Sequence, residues 1–355
     1  MGPRTGARPL SRLGRSKEQT MAKKTFRAAA VQLSPVLFDR DGTTGKVIEA
    51  IEKCGREGIQ LAVFPETIIP NYPYFAMVRP PVAIGADIAR LYEQAVEVPG
   101  PVTEAVGAAA GRAGTVVVLG VNERDGGSLY NTQLIFDADG ALIGRRRKIM
   151  PTFYERMIWG WGDGSGLTVY ETAVGRVGAL ICWEHYMPLA RYALIARGEE
   201  IHCSHFPGSL LGQTMARQLD AAVRHHAMEA GAFVVNATAW LSDGQRSEIS
   251  PDASLSGLLK GGLLTAVVAP NGNYLAEPLP EGEGMAVAEI DLSAIVRQKS
   301  MLDTAGHYAR PDLLRLLLDD QPRRVIETMP RPWQDLPHDP NLPEAPSKTT
   351  PDPET

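Results

Sequence analysis

Three side chains far apart in the 355-residue chain have the types needed for covalent chemistry: Glu66 in VFPE, Lys148 in RRKIMPTFYER and Cys182 in GRVGALICWEHY. A thiolate is a soft, strong nucleophile, but a thiol of pKa about 8.5 must first lose its proton, which calls for a carboxylate within reach. An ammonium can then stabilise the negative charge that develops on the attacked group. Cys182 ends an apolar, β-branched run (Val177, Leu180, Ile181) bounded by glycine, and the MPLARYALIARG that follows repeats apolar residues at helical spacing. The pattern predicts a strand-to-helix turn in which the sulfur faces a cleft and the next backbone N–H groups point at whatever it attacks. Singly, each residue has a blander reading. A free cysteine is usually a small buried hydrophobe, a glutamate after a strand a solvated acid, and a lysine closing Arg145, Arg146 and Arg147 part of a solvated charge run. Lys148 differs from those arginines in context, because Ile149, Met150, Pro151 and an aromatic stretch follow it. An apolar pocket lined by Phe153, Trp159 and Trp161 would lower its pKa and make it a proton donor or oxyanion partner.

The elements that must position these groups alternate. FRAAAVQL and IQLAVF read as strands joined by the helical TTGKVIEAIEKCGREG, a βαβ unit with parallel strands and a right-handed crossover. Functional residues then belong at the carboxyl ends of the strands, where Glu66 stands. Helices are expected over Pro81 to Val96 and Val102 to Ala113. Strands TVVVLGVNE, YNTQLIFDADG and ALIGRRRKI follow, with the DADG hairpin making this part of the sheet antiparallel. After the cysteine come a strand IHCSHF, a helix from about Gln213 to Ala230 and a strand AFVVNATAW. The polar, glycine-rich Leu241 to Gly261 reads as a surface loop. A hairpin about Asn271-Gly272, a strand GMAVAEIDL and a helix LSAIVRQKSML complete the series. His202, Cys203 and His205 invite a metal reading, but side chains alternate along a strand, so His202 and Cys203 point to opposite faces and no metal site is expected. His225 and His226 read as structural residues near a helix end.

Composition narrows the classes. At 44% hydrophobic and 22% charged, the chain can bury a substantial core, and a net charge of -5 argues against nucleic acid as a partner. Cys54, Cys182 and Cys203 are too few and too far apart for a disulfide framework or a CxxC metal site, which points to free thiols and a cytoplasmic setting. No apolar run reaches the roughly 20 residues of a membrane helix. Residues 1–24 read as a disordered basic leader, 25–304 as one folded domain, and 305–355 as a C-terminal extension with a Pro-rich arm from about 321.

Together and in that order, VFPE, RRKIMPTFYER and ALICWEHYMPLARYAL resemble the nitrilase superfamily of carbon-nitrogen hydrolases, from roughly Phe26 to Leu316. Trp183, Glu184 and His185 after the cysteine, and GHYARPDLL containing His307, resemble its true nitrilase branch. The resemblance implies an α/β fold, an α-β-β-α sandwich pairing to α-β-β-α-α-β-β-α in a dimer and often growing into spirals or filaments. It implies Glu66 as general base, Lys148 as cationic stabiliser, Cys182 as nucleophile and Glu155 as the acid that holds Lys148 and a water, with no metal or organic cofactor. The implied substrate is a small organic nitrile, hydrolysed with two waters to acid and ammonia through a cysteine thioimidate and thioester. By analogy and proximity, Tyr72, Tyr74, Trp159, Trp183, Tyr186 and Pro207 are the expected pocket residues, and their character favours nitriles with apolar bodies, aliphatic or aryl. Two other readings stand beside this one: a thiol amidase or carbamoylase on the same fold, and a catalytically silent scaffold subunit, against which an intact triad argues. Replacing the sulfur discriminates at once. Cys182→Ala is expected to release no measurable ammonia from a nitrile that the unmutated chain hydrolyses, because no other residue in these motifs can substitute for the thiol.

Overall fold

The computed structural model describes residues 25–323; the basic leader and the arm beyond 323 lie outside them. One sheet is built from β1 (Thr25–Gln32), β2 (Leu61–Val63), β3 (Val116–Asp125), β4 (Ser128–Phe136), β5 (Leu142–Arg147) and β12 (Gly284–Asp291), in the order β12-β1-β2-β3-β4-β5. The second contains β6 (Tyr170–Thr172), β7 (Gly175–Ile181), β8 (Ile201–Phe206), β9 (Phe233–Thr238), β10 (Ala266–Val268) and β11 (Tyr274–Ala276), in the order β11-β10-β9-β8-β7-β6. Each sheet has a parallel centre, β1-β2-β3 in one and β7-β8-β9 in the other, and antiparallel flanks. This is the α/β sandwich of two helix-flanked sheets that the family resemblance implies.

Period-two alternation decides which side chains meet. On β1, Ala28 and Ala30 face the core between the sheets with Val63, Val118, Val177, Cys203 and Val235. Ala29 and Val31 face the other way, onto the helices Arg40–Arg56 and Pro101–Ala113 through Val47, Ile51, Val106 and Ala109. The second sheet turns its outer face to the helix Gly212–Ala230, whose Leu219, Val223 and Ala227 pack in one cluster with Val234 and Val268. The described residues through Gln321 form one compact unit; Pro322 and Arg323 belong to another.

Two expectations change, and one strand had no expectation. Leu241 to Gly261 is not a surface loop: it holds helices Asp243–Ile249 and Ala253–Ser256 and buries Leu241, Arg246, Ile249 and Leu259. Its polar residues are helix caps, Ser242 accepting from the Gln245 N–H and Asp252 from the Ser254 N–H, and capping residues resemble turn residues in composition. The helix expected over Pro81 to Val96 is shorter, a 3₁₀ turn Pro81–Ala83 followed by Gly85–Glu93. The edge strand β6 is only three residues long, too short to announce itself by alternation.

Parallel strands joined by helices leave their carboxyl ends on the same side of a sheet. Glu66 follows β2, Lys148 follows β5 and Cys182 follows β7, so the two sheets present these residues to one region.

Candidate active site

Glu66 sits in a tight turn after β2 against β3, where Gly120 makes the approach possible. A Cβ at Gly120 would lie 2.4 Å from the Pro65 carbonyl oxygen and 2.5 Å from the Thr67 nitrogen. The Glu66 side chain is fully buried. Its Oε1 accepts from Asn131 Nδ2 at 2.7 Å and from Lys148 Nζ at 2.9 Å, whereas its Oε2 has no partner. The Lys148 ammonium donates a second bond to Glu155 Oε2 at 2.7 Å. Glu155 is fixed in turn by the Thr152 N–H, 2.6 Å from Oε2, and by the Tyr72 hydroxyl, 2.6 Å from Oε1. Tyr154 Oη lies 3.1 Å from Tyr72 Oη. Carboxylate oxygens of Glu66 and Glu155 and the sulfur of Cys182 all lie within 4.8 Å of one another. Glu66, Lys148, Glu155 and Cys182 are therefore gathered at one buried point.

The charges there decide the protonation states. Burial pushes the Glu66 carboxyl up to about 7, with Lys148 limiting the rise. Burial alone would lower Lys148, but the Glu155 and Glu66 carboxylates outweigh it and hold the ammonium well above its ordinary range. This reverses the expectation of a lowered lysine. Of the three aromatic residues expected to surround it, Trp159 is near, with its ring centroid 5.9 Å from Nζ, while Phe153 and Trp161 are 79% and 65% exposed. The apolar wall is therefore incomplete and two acids stand in its place. The Cys182 thiol is pushed well up, by burial first and then by the Glu66 charge, while Lys148 and a hydrogen bond from the Trp183 N–H pull it down. At rest the sulfur keeps its proton.

Cys182 itself has φ 51°, in the left-handed region that costs a non-glycine residue of the order of 1–2 kcal/mol. It opens a 3₁₀ turn, Cys182–Tyr186, that is tied to the Lys148 strand by a buried ion pair. Arg146 Nη1 and Nη2 donate to Glu184 Oε2 and Oε1 at 2.7 and 2.9 Å. The same carboxylate accepts the Ile181 N–H at 2.7 Å and the Ile149 N–H at 2.6 Å. Arg146 is two residues before Lys148 and Glu184 two after Cys182, so this pair sets the distance between the strand end that carries the ammonium and the turn that carries the sulfur. Arg146 is buried, contrary to its reading as part of a solvated run, whereas Arg145 and Arg147 turn outward to Glu123. Alternation along β5 carries the signal that separates them.

A cavity of about 500 Å³ opens onto Cys182, lined by Tyr72, Ala76, Met77, Trp183, Pro207, Leu210 and Met215 among others. Three of the expected pocket residues, Tyr72, Trp183 and Pro207, are in its wall. Tyr74 is buried behind it with its hydroxyl on the Pro207 carbonyl, Trp159 is buried with Nε1 on Asn122 Oδ1, and Tyr186 bonds the Gln218 carbonyl from a half-exposed site. Met77, Leu210 and Met215 carry no sequence signal, because helical and loop apolar residues look alike whether they line a cavity or fill a core.

A profile of the carbon-nitrogen hydrolase family matches residues 27–299. A nitrilase from Paraburkholderia phymatum is 58% identical over 307 residues, which cover 86% of this chain and 90% of that protein. The chain belongs to the nitrilase branch of the carbon-nitrogen hydrolases. An aliphatic nitrilase from Rhodococcus rhodochrous is 40% identical across 86% of this chain and 85% of its own. Among solved structures, a carbon-nitrogen hydrolase from Helicobacter pylori superposes with TM-score 0.62 at 23% identity, covering 78% of this chain and 93% of that one, and shares the fold. For this nitrilase-branch hydrolase the Arg146–Glu184 tie is a structural demand on the site. Glu184→Ala is expected to cost about 3–5 kcal/mol by leaving a buried guanidinium uncompensated, with loss of activity at temperatures where the chain is still folded; calorimetry and ammonia release measure the two effects.

Proposed function

We propose that this enzyme hydrolyses an organic nitrile with an apolar body to the carboxylic acid and ammonia, with Cys182 as nucleophile. The observation that carries the reading is the unpartnered Oε2 of Glu66, in a carboxylate within 4.8 Å of the Cys182 sulfur and bonded through Oε1 to the Lys148 ammonium. In the first step Glu66 takes the thiol proton, the sulfur bonds to the nitrile carbon, and the proton passes to nitrogen, giving a thioimidate. Glu66 then takes a proton from water as its oxygen adds to the same carbon. The charged adduct is stabilised by Lys148 and the Trp183 N–H, and it collapses by breaking the C–N bond as both protons of the added water pass to nitrogen, one of them by way of Glu66, releasing ammonia, leaving a thioester and returning Glu66 to its basic form. A second water, activated the same way, breaks the C–S bond, frees the acid and returns the proton to sulfur. Glu155, held by Tyr72 and the Thr152 N–H, keeps Lys148 in place. The scheme calls on no metal or organic cofactor.

The apolar lining of Ala76, Met77, Leu210 and Met215 suits aliphatic or aryl nitriles. A thiol amidase would use the same thioester half. A panel of nitriles and their matching amides, scored for ammonia, separates the two: nitrile turnover exceeding amide turnover is the expected result, and the reverse excludes the reading. With a base whose carboxyl sits near pH 7, kcat/KM should fall about tenfold per pH unit below roughly 6 and level off above about 8. A rate flat from pH 5 to 8 rules out Glu66 as that base.

We also propose a setting that keeps thiols reduced, consistent with three free cysteines and with no described helix long and apolar enough to cross a membrane. Self-association is the further expectation, supported by the exposed Leu189, Tyr308, Leu313, Leu314 and Leu317. Sedimentation velocity is expected to show dimers or larger species, and a monomer at micromolar concentration counts against it.

A further inference from the structure

Behind Cys182, on the side away from the cavity, lies a second group of buried ionisable residues that the reaction does not use: His185, Glu199, His202 and His226. They form a continuous chain. The Cys182 carbonyl is 2.6 Å from His185 Nδ1; His185 Nε2 is 2.9 Å from His202 Nε2; His202 Nδ1 is 2.8 Å from Glu199 Oε2; and Glu199 Oε1 is 2.7 Å from His226 Nε2. Four different places in the fold contribute: the 3₁₀ turn, the loop before β8, β8 itself and the helix Gly212–Ala230. Room is made for it on β7, where a Cβ at Gly178 would lie 2.0 Å from Glu199 Oε2. The His185 ring is further fixed by stacking on Phe206 at 5.2 Å.

Hydrogen counting defines its state. A carbonyl only accepts, so His185 Nδ1 carries a hydrogen. The four contacts need four hydrogens, whereas three neutral imidazoles and an ionised Glu199 supply three. Charge leads to the same result, because the only ion-pair partners of the buried Glu199 among the described residues are His202 and His226, and an uncompensated buried carboxylate is costly. The cations that face the imidazoles from other elements, Arg191 toward His185 and Arg146 toward His202, are engaged elsewhere, with Glu229 and Glu184. Burial drives His202 toward neutrality while the two imidazoles hold Glu199 ionised, and the hydrogen bonds can satisfy both tendencies only by sharing a proton.

We infer that the Glu199–His202–His185 chain holds one proton beyond those of neutral imidazoles and a carboxylate, and that it acts as a positioning device for the nucleophile by clamping the Cys182 carbonyl. Because the peptide unit is planar and trans, its C=O and the N–H of the next residue point in opposite directions. Fixing the Cys182 carbonyl on His185 thus aims the Trp183 N–H back at the sulfur and at the developing negative charge, and holds the left-handed backbone at Cys182 in place. His185 and its partners never touch the substrate. The role deepens the nitrile-hydrolysis reading and rests on it only for the turnover measurement.

The test compares His185→Leu, which removes the donor, with His185→Asn, whose amide nitrogen can stand near the place of Nδ1. His185→Leu should lower kcat about ten- to hundredfold, the scale of a misplaced oxyanion donor, with KM changed less than about twofold. It should also raise the pH midpoint of iodoacetamide alkylation at Cys182, read by peptide mass mapping. His185→Asn should recover most of both. In the unmutated protein, 15N-detected imidazole spectra near neutral pH should show one charged imidazole among His185, His202 and His226. The inference is overturned by equal kcat and alkylation midpoints in His185→Leu and the parent, by His185→Asn behaving no better than His185→Leu at matched thermal stability, or by three neutral imidazoles. If the parent hydrolysed no nitrile at all, the functional reading would fail, and the alkylation midpoint and the spectra would still decide this one.

Discussion

The arrangement depends on one buried cation shared between two buried acids. Lys148, Glu66 and Glu155 are all buried, and their formal charges sum to minus one if both acids are ionised. Burial raises the Glu66 carboxyl to about 7 and the Glu155 charge adds to the rise, while the ammonium stays firmly charged between the two carboxylates. A base poised near neutrality and a permanent cation beside it thus follow from burial combined with one cation shared by two acids. Removing the lysine would leave two buried carboxylates near each other with neutral donors but no cation to offset their desolvation.

Holding that imbalance requires rigid strand ends, and the two sheets supply them. Each group stands where a strand stops, on a backbone whose hydrogen bonds are already committed, so little freedom remains to relax the charges apart. Arg146 and Glu184 fasten the lysine-bearing strand to the cysteine-bearing turn with two guanidinium bonds and two backbone N–H bonds to one carboxylate. The imidazole chain behind the cysteine fastens the next peptide unit from the opposite side. The sulfur is therefore set between this braced scaffold and a largely apolar cavity, beside a Glu66 carboxylate whose Oε2 has no partner.

Much of this was legible in the chain. Alternation placed β1, the hairpin of β4 and β5, and β7 to β9; helical spacing found the long helices; each of the glutamate, lysine and cysteine was legible at a strand end, and their convergence was implied by the family resemblance. Less legible were Leu241 to Gly261, where capping residues mimic a loop, and the pocket, where Tyr72, Trp183 and Pro207 line the cavity while Tyr74, Trp159 and Tyr186 stand outside its wall.

By itself, the sequence determined which residue types could react and on which elements they stand, because periodicity and turn chemistry are properties of neighbours along the chain. Only the tertiary structure decided that Lys148 lies between two acids instead of in an apolar pocket, that Arg146 alone of three arginines turns inward, and that four buried residues chain back to the Cys182 carbonyl. Desolvation and charge pairing are set by atoms a few ångströms away in space that can be a hundred residues away in sequence, so local pattern has no access to them.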